Sequence, residues 1–251
     1  MIRLGLETDM EYYNYLKLNP DELNQFLDGF TINYSGFFRN PDVYQELFQI
    51  LISCLGQNWT IRDTIKELSI YDKIRKQQKL KVWSCPCAMG EEPYSIAMMF
   101  DQIKRKYGKF PDYTINASDI DKQVLEKAQK GIYRQESLSE LDEYYKSYFR
   151  EHDSKEIGKK YAINDDIKQK INFIEEDVTK GHDLSIKYDI IFCRYLFIYI
   201  SRNYREKLVE VLENHLERGG LLVLGKTESL FYAQRKVKLF NKNARIYVMN
   251  K

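Results

Sequence analysis

An α/β fold built on a mostly parallel sheet is what this sequence predicts, and three observations carry the prediction. From Leu80 onward, short apolar runs alternate with helical patterns, as they do when helices cover both faces of a parallel sheet. The first of these runs ends in a turn with a single glycine, "CPCAMGEEP", which opens directly into an amphipathic helix. The chain has 251 residues, 43% of them hydrophobic, enough to bury the core of one large domain with a small appendage.

Taken in order, residues 1–32 read as short helices of acidic character. Within them "NPDELNQFLDGF" carries a start signal in Asn19, Pro20, Asp21 and Glu22, and a stop in Gly29. Residues 41–57 form a helix with Val43, Leu47, Ile50, Leu51 and Cys54 on one face. "LKVWSC" is the first strand, and "PYSIAMMFDQIKRKYG" is the helix behind it, closed by Gly108. "DYTINASD" is the second strand, with Asp121 as the cap of the helix that follows. "INFIEED" and "YDIIFCRYLFIYI" are the third and fourth strands. "NYREKLVEVLENHLERGG" reads as a helix with a glycine stop, and "LLVLGK" as the fifth strand. "VKLF" and "RIYVM" close the sheet as an antiparallel hairpin around "NKNA". Residues 131–169 are polar, rich in Tyr and Lys, and too long for a simple connection. They predict an inserted subdomain on the face where the strands end, with "KKYAI" and "KINFI" as candidate strands. The expected division is therefore a helical segment and linker, 1–40, and a main domain, 41–251, with the insertion at about 131–170.

Composition removes several function classes. The formal net charge is +2 with 30% charged residues, so the balance makes no general case for nucleic acid or an anionic membrane. Four cysteines, Cys54, Cys85, Cys87 and Cys193, form no CxxC pair, and His152, His182 and His215 lie at no ligand spacing. Buried, reduced thiols are expected, and no metal. Charges at Arg3, Glu7, Asp9 and Glu11 interrupt any leader, and no apolar run is long enough to span a membrane. The expectation is a cytoplasmic monomer.

The chemistry is concentrated at strand ends, where open α/β sheets bind their ligands. A dinucleotide loop needs several glycines for a pyrophosphate to approach the backbone, and here only Gly90 is present. Glu91 and Glu92 occupy the helix start where a phosphate would sit. Such a pair repels phosphate and attracts a cation. S-adenosylmethionine, with its sulfonium and ammonium and no phosphate, fits; taken alone, the two acids are equally well read as ordinary helix-start residues. At the second strand end, Asp119 is placed to accept from two ribose hydroxyls. At the third, Asp177 could accept from the adenine amino group, although a strand-end acid is often only loop chemistry.

At this point five blocks carry a resemblance: "TINYSGFFR", "VWSCPCAMGEEPYSIAMM", "ASDIDKQVLEKAQKGIYR", "YDIIFCRYLFIYI" and "GGLLVLGKTESL". Together they are similar to the chemotaxis receptor methyltransferase family, CheR, over roughly residues 29 to 249. The resemblance implies a class I S-adenosylmethionine-dependent methyltransferase: a Rossmann-like, mostly parallel seven-stranded sheet with a small inserted β-subdomain. It implies methyl transfer to glutamate side chains of chemoreceptors. By position, Asn33, Ser35 and Arg39 would close over the cofactor. Cys85 (by its backbone), Gly90 and Glu91 would form the turn that holds its amino-acid part. Asp119 would hold the ribose, with Asp177 and Val178 beside the adenine. Arg39, Arg194 and Tyr199 would face the sulfonium and the incoming carboxylate. Without the resemblance, Arg194 and Tyr199 read more simply as loop structure.

The sequence departs from the family pattern in places. Tyr195, beside the cofactor, stands where the family has Asn, and "GKTES" where it has "GHSES". The front segment is short and acidic where family members usually carry a longer helical domain with a basic helix. These departures keep two alternatives in view: a carboxyl methyltransferase acting on another protein or a small carboxylate, and a silent module that binds cofactor. The near-neutral charge speaks against an RNA methyltransferase, and the missing glycines against a dehydrogenase.

Overall fold

The computed structural model describes residues 4–6, 8–20, 22, 23, 26, 35–57, 65–153, 158–180, 185–230 and 236–250. The chain divides into two compact units, residues 1–34 and 35–251. In the first, helix α1 (Asp9–Leu18) starts at a capping box: the Thr8 hydroxyl accepts from the Glu11 amide, and the Glu11 carboxylate accepts from the Thr8 amide. Of the expected "NPDELNQFLDGF" helix, Asn19 is the C-cap of α1, Pro20, Glu22, Leu23 and Phe26 are helical, and the rest lies outside the described residues.

The second unit holds a seven-stranded sheet and a three-stranded one. Helices α2 (Pro41–Cys54) and α3 (Ser69–Arg75) precede β1 (Leu80–Ser84). Then follow α4 (Glu91–Tyr107), β2 (Tyr113–Asp119), α5 (Lys122–Lys130), β3 (Ile132–Arg134), α6 (Glu143–Lys146), β4 (Phe149–His152), β5 (Lys160–Ile163), α7 (Asp165–Lys168) and β6 (Ile171–Glu175). The unit ends with β7 (Tyr188–Cys193), α8 (Arg202–His215), β8 (Leu216–Leu224), β9 (Val237–Asn241) and β10 (Ile246–Met249).

The large sheet runs β6-β2-β1-β7-β8-β10-β9. Strands β6, β2, β1, β7 and β8 are mutually parallel, and β10 is antiparallel to both its neighbours. The chain order reverses between β1 and β7, which opens a crevice beyond their carboxyl ends. Strand periodicity divides the core. Val82, Ile190, Phe192, Leu221 and Val223 face α2, α3 and α4 on one side. Trp83, Ile191, Cys193, Leu222 and Leu224 pack with α8 on the other.

Two local expectations change. The "LERGG" stretch is not the end of a helix: α8 stops at His215 and β8 begins at Leu216. Between the pairs Tyr188–Leu216 and Ile190–Leu221, β7 advances two residues while β8 advances five, so the glycine pair makes a bulge. Gly219 has φ +73°, and a Cβ there would stand 2.7 Å from the Ser69 amide nitrogen and 2.8 Å from the Glu67 carbonyl oxygen. Gly219→Ala is therefore expected to destabilise by about 2 kcal/mol or more. Gly108→Ala, at φ +72° in open space, should cost only about 1 kcal/mol. Urea unfolding of the two variants makes the comparison. The second change is that "KINFI" belongs to the large sheet as β6, so β5 ("KYAI") is flanked in the small sheet by β3 and β4.

At the end of β7 opposite the crevice, Asp189 is fully buried. It receives the Lys73 ammonium at 2.6 Å and the Lys81 amide at 2.9 Å, which ties α3 to the sheet. No helix among the described residues is long and apolar enough to cross a membrane.

Candidate active site

The loop after β1 is held at its base by backbone bonds. The Cys85 amide donates to the Phe192 carbonyl at 2.9 Å, and the Cys87 amide donates to the Ser118 carbonyl at 2.9 Å. Gly90 closes the loop at φ +93°; a Cβ there would press at 3.1 Å on Ala128, Tyr94 and the Tyr133 hydroxyl. That crowding explains why the one glycine of the turn stands here. The Tyr133 hydroxyl also donates to the Met89 carbonyl at 2.8 Å, so the small sheet braces the loop. Burial pushes the Cys85 and Cys87 thiols well up, and Cys193 is raised as well, so these groups are neutral packing, not nucleophiles.

Two glutamates follow, in different circumstances. Glu91 is 2% exposed, and its Oε2 has no hydrogen-bond partner among the described residues. Burial raises its pKa, against the pull of its own backbone amide and the Ser35 hydroxyl. A buried acceptor without a donor is rare and calls for a reason. Glu92 is satisfied: Ser84 donates to it at 2.7 Å and Arg194 at 3.2 Å. Burial raises Glu92 too, with Arg194 drawing it back.

Asp119, at the tip of β2, accepts from the Ala88 amide at 2.9 Å and the Asp121 amide at 3.1 Å. Burial raises its pKa, and these amides oppose the rise. Asp121 caps α5 through the Gln123 and Val124 amides, as expected from the sequence.

Segment 35–40 lies along α4. The Phe38 amide donates to the Ser95 hydroxyl at 2.9 Å, and Ser95 donates to the Glu91 carbonyl at 2.6 Å. The Phe37 ring meets Tyr133 and Phe149 of the small sheet edge-on, at 4.8 and 5.2 Å. Arg194 fastens the end of the segment. Its guanidinium donates to the Arg39 carbonyl and to the Asn40 side-chain oxygen, both at 2.7 Å, and it is 4% exposed. Arg194 is thus an internal strut, with contacts that differ from the expected face toward an acceptor. The Arg39 guanidinium lies over the Tyr195 ring, 3.7 Å from its centre.

Other expected residues stand apart from this network. Asp177 accepts from both the amide and hydroxyl of Thr179, at 3.0 and 2.6 Å, and sits 3.5 Å from Lys180. The Thr179 hydroxyl is the main cause of its lowered pKa. Val178 is buried in the cluster that includes Cys85. Tyr199 is 59% exposed on the turn after β7, and its side chain meets neither Arg39 nor Arg194 among the described residues. Asn33 lies outside the described residues.

Two residues that the sequence did not single out help to build the site. Asn40 receives both the Arg194 guanidinium and the Tyr195 hydroxyl. Glu228 is 3% exposed and accepts from three backbone amides: Tyr195 at 2.7 Å, Phe197 at 2.8 Å and Gly225 at 2.8 Å. It joins the loop after β7 to the loop after β8. Its signal in the sequence is the acid of "GKTES".

A parallel sheet with this reversal, an antiparallel strand inserted next to last, and an acid-bearing turn after β1 define a class I S-adenosylmethionine-dependent methyltransferase. The chain belongs to the family described as CheR methyltransferase, SAM binding domain, whose model matches residues 33–246. Its cofactor is accordingly S-adenosylmethionine. It is 29% identical over 246 residues to Chemotaxis protein methyltransferase 2 of Vibrio cholerae serotype O1, covering 96% of this chain and 78% of that one. It is 31% identical over 196 residues to the Chemotaxis protein methyltransferase of Vibrio parahaemolyticus, covering 74% and 70%. It is also 26% identical over 242 residues to the Probable biofilm formation methyltransferase WspC of Pseudomonas aeruginosa, covering 93% of this chain and 50% of that one.

Proposed function

We propose that this chain transfers the methyl group of S-adenosylmethionine to glutamate side chains of chemoreceptors, forming methyl esters. The observation that carries the reading is Glu91, a buried carboxylate at the start of α4 whose Oε2 lacks a donor among the described residues. An ammonium is the donor it fits. The names of the chemotaxis methyltransferase relatives support the acceptor.

Bound S-adenosylmethionine supplies an electrophilic methyl on a sulfonium. In this reading Glu91 and the Cys85 carbonyl receive the amino group, and Asp119 receives the ribose hydroxyls. Val178 packs beside the adenine. Asp177, whose oxygens already serve Thr179 and Lys180, contributes through its remaining lone pairs. A glutamate acceptor is ionised at neutral pH, with an ordinary pKa of about 4.3, so no general base is required. The chain's task is to align the carboxylate in line with the methyl and to exclude water. Arg39 orients the carboxylate, Arg194 holds the 39–40 backbone in place, and Tyr199, exposed on its turn, meets the acceptor as it docks.

Labelled S-adenosylmethionine and a receptor cytoplasmic fragment test this. Base-labile label is expected on the fragment, lost when the acceptor glutamates become glutamine. An unlabelled receptor, with S-adenosylhomocysteine still bound by the enzyme and label appearing on another protein or a small carboxylate, would sink the receptor assignment. The likeness to a biofilm-formation methyltransferase favours one such second reading, a signalling acceptor outside chemotaxis.

A further inference from the structure

We propose that Tyr195 is a positioning residue for the acceptor, acting through Arg39: its ring fixes the plane in which the Arg39 guanidinium offers its N–H groups to a carboxylate. The inference rests on the reading of a carboxylate acceptor and assigns a direction to it.

The two arginines at the crevice have different work. Arg194 is buried, and its two terminal nitrogens donate to Glu92, the Arg39 carbonyl and Asn40, while its Nε has no partner among the described residues. The Arg39 guanidinium lies over an aromatic face, 3.7 Å from the ring centre. A guanidinium stacked in this way donates within its own plane, so the ring beneath it sets the direction of donation.

The ring is itself held firmly. The Tyr195 amide donates to Glu228 at 2.7 Å, and its hydroxyl donates to the Asn40 side-chain oxygen. Tyr195 has φ +60°, a conformation that bulky residues rarely adopt and that asparagine or glycine takes more easily. A large aromatic kept at such a position points to a use for the ring. The use on view is the Arg39 face. The path runs from the loop after β8, through Glu228, to Tyr195 and then to Arg39.

The test is a set of five enzymes assayed with receptor fragment at saturating S-adenosylmethionine: wild type, Tyr195→Leu, Tyr195→Phe, Arg39→Ala and the Arg39→Ala/Tyr195→Leu pair. Tyr195→Leu should lower kcat about tenfold, while affinity for S-adenosylhomocysteine changes less than threefold. Tyr195→Phe keeps the ring and should stay within threefold of wild type. In the Arg39→Ala background, Tyr195→Leu should add nothing further. Full additivity of the two changes, or equal losses for Leu and Phe, overturns the proposal. If wild type labels no carboxylate acceptor, the functional reading fails separately. Hydrogen exchange then decides the clamp: faster exchange of amides 36–41 in Tyr195→Leu than in Tyr195→Phe sustains it, and equal exchange removes it.

Discussion

Glu91→Gln is expected to weaken binding of S-adenosylhomocysteine by about 30- to 100-fold, the loss of one charge-assisted hydrogen bond in a buried site. The same change should leave the ligand-free enzyme as stable as wild type, or more so. Glu91 is 2% exposed with an oxygen that has no partner among the described residues, and burial outweighs the hydrogen bonds that favour its charged form. The pH dependence follows from its raised pKa. Folding holds the Glu91 proton to higher pH than the unfolded chain does. Stability of the ligand-free enzyme therefore rises as pH falls through that raised pKa, and ligand affinity falls in the same window. Glu91→Gln should flatten both trends. Calorimetric titration and thermal unfolding across pH measure them. Tight binding by the variant would show that the ammonium is held elsewhere.

Arg194→Met should be the most damaging single change for stability. It leaves Glu92 buried without its cation and frees the Arg39 carbonyl and the Asn40 oxygen at once. Breaking a buried ion pair from one side costs about 3–5 kcal/mol. For a chain of this length that is roughly a 10 °C fall in Tm. Methyl transfer should fall further than stability alone explains, because segment 39–40 loses its anchor. The pair Glu92→Gln/Arg194→Met removes both charges and should recover much of the stability but not the activity. Recovery of both would mean that Arg194 matters only as a counter-ion.

The strands and their order of appearance could be read locally, because apolar alternation and caps such as Asp121 act over a few residues. The acidic turn after β1 was legible for the same reason: Gly90, Glu91 and Glu92 are consecutive. What escaped depends on partners far along the chain. "LERGG" has the local signature of a helix stop, yet Gly219 is there because Ser69 and Glu67 approach it. Glu228 owes its role to the Tyr195 and Phe197 amides of the loop after β7, more than thirty residues away. The bond from Arg194 to Asn40, 154 residues away in the chain, has no local signature either. β3 and β4 are short, and the burial of β4 is slight, so neither leaves much of a hydrophobic pattern.

The placement of β10 sets an order of assembly. β9 has β10 as its neighbour in the sheet and no other, and β10 is also the partner that covers the free side of β8. As the chain leaves the ribosome, the five parallel strands can pair while β9 waits unpaired and the edge of β8 stays open. Residues 246–249 then enter between two strands made before them. A growing chain therefore exposes an apolar β8 edge until residues 246–249 emerge, an interval in which a chaperone, or another nascent copy, competes for that edge.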